Sequence, residues 1–198
     1  MNSAVLAPLQ ETGVAPRKKF TSDEVRRMLD SGIFAGQRFE LIDGDLIEKM
    51  GQNPPHASAI HLALEWLADL FGVARIRVQS PIDAAIVDSE RSFPEPDIAV
   101  LRERKPDFLH RHPRGSELLL VIEVSDTTLY TDASTKRDIY ARAAVPEYWV
   151  VDLNNRRIIV HRAPAAGVYT EITALAENET IAPESESSQS IPVARLLP

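Results

Sequence analysis

No cysteine occurs among the 198 residues. That absence excludes disulfides, thiolate metal sites and a cysteine nucleophile, and it suits a reducing cytoplasm. Long apolar runs are missing as well. Nothing approaches the ~20 residues that span a bilayer, and the first residues lack the basic n-region of a secretory signal. The expectation is a cytoplasmic protein with no membrane partner. Glycine-rich phosphate loops of either common pattern are absent, which disfavours nucleotide-fold enzymes. The histidines (His56, His61, His110, His112, His161) contain no His-x-x-x-His pair, and no serine nucleophile elbow is visible. An excess of positive charge is lacking too. The net charge of −7 argues against nonspecific coating of nucleic acid, but leaves open a local basic surface or a carboxylate site offset by a metal.

What remains is ordinary for a globular chain, 44% hydrophobic and 26% charged. The length predicts one domain over residues 20–198, preceded by a flexible leader (residues 1–19) and closing in an acidic segment. The chain is organised around Leu118–Val124, in which every residue but Glu123 is apolar. A continuous apolar run predicts a strand covered on both faces. A carboxylate there is costly to desolvate unless a cation meets it. Asp97, in Pro-Glu-Pro-Asp, heads a second apolar run, and Lys136 falls on the apolar side of a helix predicted from Asp132 to Ala144. Two acids and a lysine converging on a sheet edge suggest a metal-dependent hydrolytic site. The plainer alternative is a structural salt bridge.

Around this centre the pattern predicts a helix capped by Thr21 or Ser22 and running to Asp30. A hairpin through Asp43-Gly44 follows, with Glu40 and Ile42 on one face. A core helix runs from His56 to Phe71, with His56 in its first turn. Ala74–Gln79 and Ile82–Val87 read as strands, and residues 102–114 as a basic surface loop. Glu147–Asp152 turns through Asn154-Asn155 into Arg156–His161, and a weak strand follows at Val168–Thr173. From Glu177 the chain reads as mostly flexible, with Ile191–Leu197 docking back. Tyr140 reads as packing.

Asp97 and Glu123 are hard oxygen ligands suited to Mg²⁺ or Mn²⁺, and the backbone carbonyl of Val124 can fill a further position. Lys136 would position or deprotonate a water, or stabilise charge on a phosphate.

The separated blocks Phe39–Gly44, Pro55-His56, Pro96–Val100, Glu123–Ser125, Asp132 with Lys136 and Tyr140-Ala141, and Val145–Asp152 together resemble the Uma2 family (DUF820) of restriction-endonuclease-like proteins. The resemblance covers residues 20–195. It implies the PD-(D/E)XK nuclease core, an α/β (mixed α+β) fold with a central mixed β-sheet flanked by helices. Asp97 then matches the PD aspartate and Glu123 the acid of the E-x-K motif. Ser125 stands where that motif has lysine, and Lys136 on the next helix is the displaced counterpart. Glu40 and His56 match recurring positions that support the site. Asp126 departs from the proline usual in the following turn.

Three functions follow as expectations. The first is a Mg²⁺-dependent DNA endonuclease, dimeric so that two sites cut two strands. The second is a catalytically silent nuclease-fold module that binds nucleic acid or protein. The third is a scaffold that dimerises through the edge of the Glu147–His161 hairpin.

Overall fold

The computed structural model describes residues 17–49, 51–104, 108 and 110–198. Helix α1 (Ser22–Asp30) opens on a capping box. The Thr21 hydroxyl accepts the Glu24 N–H, and the Glu24 carboxylate accepts the Thr21 N–H. Strands β1 (Phe39–Ile42) and β2 (Asp45–Glu48) form the expected hairpin. Asp43 and Gly44 both take positive φ (48° and 77°), as a tight two-residue turn requires. Helix α2 (Pro54–Phe71) starts earlier than the expected His56, because prolines are tolerated in a first turn whose N–H groups lack helical partners. Asn53 caps it by accepting the His56 N–H at 3.0 Å.

The sheet has six strands in the order β3 (Ile76–Val78), β4 (Ile98–Leu101), β5 (Leu118–Ser125), β6 (Glu147–Asp152), β7 (Arg157–Ala165) and β8 (Val168–Ala176). Only β5 and β6 run parallel; the other neighbours are antiparallel. A parallel pair needs a crossover. Here α3 (Leu129–Thr131), a π-helical turn at Asp132–Lys136 and α4 (Arg137–Arg142) supply it.

Each face of the sheet has its own core. On one, Leu120, Ile122 and Val124 of β5 meet Ala63 and Leu67 of α2. On the other, Leu118 and Val121 join Tyr140, Tyr148 and Tyr169. This double cover is why β5 reads as an unbroken apolar run. The architecture is the mixed α+β fold expected, a central mixed sheet flanked by helices. No helix among the described residues is long and apolar enough to cross a membrane.

Several expectations are corrected. Ile82–Val87 is not a strand. Ile82 is buried, but Ile86 and Val87 are 95% and 77% exposed, in turns closed on Ala85 and Asp88. Apolar composition there is not matched by a neighbouring ladder. The segment after Glu177 is not a loose tail. It forms a small pair, β9 (Thr180–Ile181) with β10 (Ile191–Pro192), and buries Ile181, Ile191, Val193, Leu196 and Leu197 against α2 and the sheet. The docking of Ile191–Leu197 is as expected. The Glu147–His161 hairpin has no free edge, since β6 lies between β5 and β7, and β7 between β6 and β8. Residues 1–16 of the leader, and residues 105–107 and 109 of the basic loop, lie outside the described residues. Within that loop Arg111 pairs with Glu117 at 2.6 Å.

Candidate active site

Register places the two acids side by side. Ile98 of β4 pairs with Ile122 of β5. Asp97 and Glu123, one step further, then lie on the same face, because side chains alternate along a strand. Continued one pair more, the register sets Pro96 opposite Val124. Proline has no N–H, so the β4 ladder stops there and leaves Val124, paired with Val151 of β6 on its other side, without a partner on the β4 side. The Val124 N–H is taken by Asp97 Oδ2 at 2.9 Å. The Val124 carbonyl faces the His56 imidazole. His56 Nε2 lies 3.4 Å from Asp97 Oδ2.

Lys136 is held on three sides. Its Nζ is 2.9 Å from Glu40 Oε1, 3.0 Å from Glu123 Oε1 and 3.6 Å from Asp132 Oδ1, all four side chains being buried. Glu40 arrives from β1, Glu123 from β5 and the other two from the π turn. The structure therefore brings together all five side chains singled out from the sequence. It also shows the plainer alternative, since Glu123 is in a buried salt bridge.

Two further residues were missed. Tyr140, read as packing, donates its hydroxyl to Glu123 Oε1 at 2.7 Å. Its position four residues after Lys136, on the same helical stripe, was the available signal. Asp132, expected as a helix cap, instead sits inside the helix. Its Oδ2 accepts the Ser125 and Thr128 hydroxyls, each at 2.5 Å. Its carbonyl accepts both the Arg137 N–H and the Tyr148 hydroxyl, the latter at 3.0 Å. This i→i+5 closure is the π turn. It turns Asp132 onto the buried stripe with Lys136 and Tyr140.

Charge in this cluster is unbalanced. Three buried carboxylates (Glu40, Glu123, Asp132) surround one buried lysine, and a fourth, Asp97, lies beside Glu123. Burial pushes the Glu123 carboxyl up to about 8. Lys136 opposes the shift, while Asp97 and Asp132 reinforce it. Burial would lower the Lys136 pKa, but Glu123, Glu40 and Asp132 outweigh it and hold the ammonium well above its usual range. Lys136 thus offers charge rather than basicity. Burial would raise Asp97, yet the His56 and Val124 hydrogen bonds hold it below the usual carboxylate range. His56 is burdened by burial but raised overall by Asp97.

The cluster opens on a cleft of about 600 Å³ lined also by Arg38, Lys49 and Asn53. Among the described residues no three His, Asp or Glu side chains converge tightly enough to hold an ion unaided. The donor set compatible with a divalent cation is two carboxylates, Asp97 and Glu123, with the Val124 carbonyl beside them. Hard oxygens next to surplus negative charge fit Mg²⁺ or Mn²⁺.

The Uma2 family model, described as "Putative restriction endonuclease", matches residues 23–194. A comparison with curated proteins finds no match. Among solved structures, the chain is similar to a protein from Anabaena variabilis ATCC 29413 described as "a putative nuclease belonging to DUF820". The TM-score is 0.66 at 14% identity, over 89% of this chain and 97% of that one. At that identity the likeness speaks for the fold.

Proposed function

Because the chain belongs to the Uma2 family, we propose that it is a metal-dependent endonuclease that hydrolyses DNA phosphodiester bonds. The observation carrying this reading is the convergence of Asp97, Glu123, the Val124 carbonyl and Lys136 on one cleft at the end of β5. A structural ion pair needs neither the second acid nor the opened ladder.

Asp97, Glu123 and the Val124 carbonyl would hold Mg²⁺ or Mn²⁺, which when bound supplies Lewis-acid activation of water and of the scissile phosphate. Lys136 presents a fixed positive charge where negative charge builds on the phosphate. The base role considered for it falls away, since three carboxylates keep it protonated. Tyr140 fixes the rotamer of Glu123, and His56 that of Asp97. Glu40 and Asp132 hold Lys136 in place. A cytoplasmic location and one nuclease domain over residues 20–198 go with this reading.

The test is calorimetric titration of Mg²⁺ and Mn²⁺ into wild type, Asp97→Ala and Glu123→Ala, beside a plasmid-nicking assay. The expected result is metal binding and nicking by wild type, and loss of both in either variant with the fold retained. Metal binding without nicking of any DNA would favour the silent nuclease-fold module. Nicking that survives in both variants would overturn the site.

A further inference from the structure

The two edges of the sheet differ. β3 is three residues long and leads through Gln79, at positive φ, towards Pro81. β8 runs nine residues and contains no lysine, arginine or proline. Among the described residues no strand pairs with its outer side. Val168, Thr170, Glu171, Ile172, Thr173, Ala174 and Ala176 are all exposed, with Val168 and Ile172 more than half so. Monomeric proteins blunt such edges with cations, prolines, bulges or shortness. Here β3 is short, whereas β8 carries a single charge, Glu171.

We propose that the outer edge of β8 is the interface with a second copy of this chain, the two β8 strands pairing antiparallel about Ile172 and joining the six-stranded sheets into one.

Geometry selects the register. In an antiparallel pair, directly opposed residues point their backbone groups the same way, so partners on one edge share parity. A two-fold axis between identical strands must then fall on a residue. An axis at Glu171 sets the two glutamates directly opposite each other, which is destabilising. An axis at Thr173 sets Glu171 against Leu175, a residue half-buried in the core. An axis at Ile172 is the strand's own centre. It pairs all nine residues, sets each Glu171 opposite the copy's Thr173, and brings the two exposed Ile172 side chains together. The interface is thereby self-complementary, as a two-fold contact must be. It also replaces the dimer edge expected on the Glu147–His161 hairpin, which lies inside the sheet.

The lack of cysteine makes the register directly measurable. In Ile172→Cys the two thiols face each other across the axis, at Cα separations of about 4.5–5.5 Å, within disulfide reach. In Thr170→Cys the same atoms are offset by four residues along the strands, roughly 13 Å, beyond that reach. Sedimentation of the wild-type chain, with non-reducing electrophoresis of the two variants after mild oxidation, is the experiment. A wild-type dimer with a cross-link at 172 and none at 170 is expected. Thr173→Glu, which opposes Glu171 twice per dimer, should weaken the dimer roughly tenfold, and the added Glu171→Lys should restore it. A monomeric wild type overturns the proposal, as does cross-linking at both positions or at neither, or a dimer indifferent to Thr173→Glu. None of these readouts involves cleavage, so failure of the nuclease reading leaves them unaffected.

Discussion

Replacing Lys136 with methionine probes the charge cluster without any substrate. The side chain is 4% exposed, and its Nζ meets three carboxylates at 2.9, 3.0 and 3.6 Å. Methionine approximates its length, so packing changes little. What is lost is the cation, and removing one partner of a buried ion pair costs about 3–5 kcal/mol because the remaining charge is uncompensated. A proton can compensate in its place. Glu123 is already raised with the lysine present; with the lysine gone a second carboxyl of the cluster is raised as well, so the folded variant holds one proton more than folded wild type between that group's unfolded and folded pKa values. Stability of the variant relative to wild type therefore falls as pH rises through that window, by at most about 1.4 kcal/mol per unit. The expected deficit relative to wild type is about 4 kcal/mol at pH 8, shrinking to about 1–2 kcal/mol at pH 6. Urea unfolding of both proteins at the two pH values measures it, given an unchanged m-value. A deficit below about 1 kcal/mol at pH 8, or one equal at both pH values, would refute the electrostatic account of Lys136.

Tyr140→Phe removes the donor to Glu123 at 2.7 Å. It should destabilise by about 1.5–3 kcal/mol and lower nicking about tenfold, with circular dichroism unchanged. His161 is buried between Tyr148 and Tyr169, and burial lowers its pKa to about 4. The unfolded state binds the proton first, so stability is full above about 6.5 and is lost as pH falls towards 4, by about 3 kcal/mol. His161→Phe should flatten that acid limb in urea titrations. Gly115 packs against the end of the helix, where an added Cβ would lie 2.1 Å from the Ala143 carbonyl oxygen. Gly115→Ala should therefore lower stability by about 3 kcal/mol or more, read as a lower urea midpoint.

β5 was legible because a strand covered on both faces has nowhere to place a polar residue, so Glu123 stood out. Asp97 was marked by the prolines that end the ladder, and Lys136 by a lysine on an apolar stripe. Tyr140 was legible only in its place on the stripe with Lys136, because a tyrosine on a core face looks the same whether or not its hydroxyl has an acceptor. Asp132 was misread because an acid after a Ser/Thr-rich turn has the local signature of a cap. Only the tertiary bonds from Ser125 and Tyr148 turn it into the hinge of a π turn. Ile82–Val87 failed for a related reason: β-prone composition forms a strand only beside a neighbour. The C-terminal segment hid its contacts as single apolar residues spaced among serines and glutamates, with no period to detect.

The surplus of buried acids has an evolutionary corollary. Three carboxylates around one lysine, with Asp97 beside them, should hold the folded chain below the stability it would reach with neutral side chains of the same shape. Replacing the whole group, Glu40→Gln, Glu123→Gln and Asp132→Asn together with Lys136→Met, would then silence the cleft and raise the melting temperature at once, whereas loss of the lysine alone costs stability. In lineages where cutting is no longer selected, these positions should be among the first to drift, the acids before the lysine that neutralises them. Relatives that retain the fold and lack the acids would be endpoints of that slope.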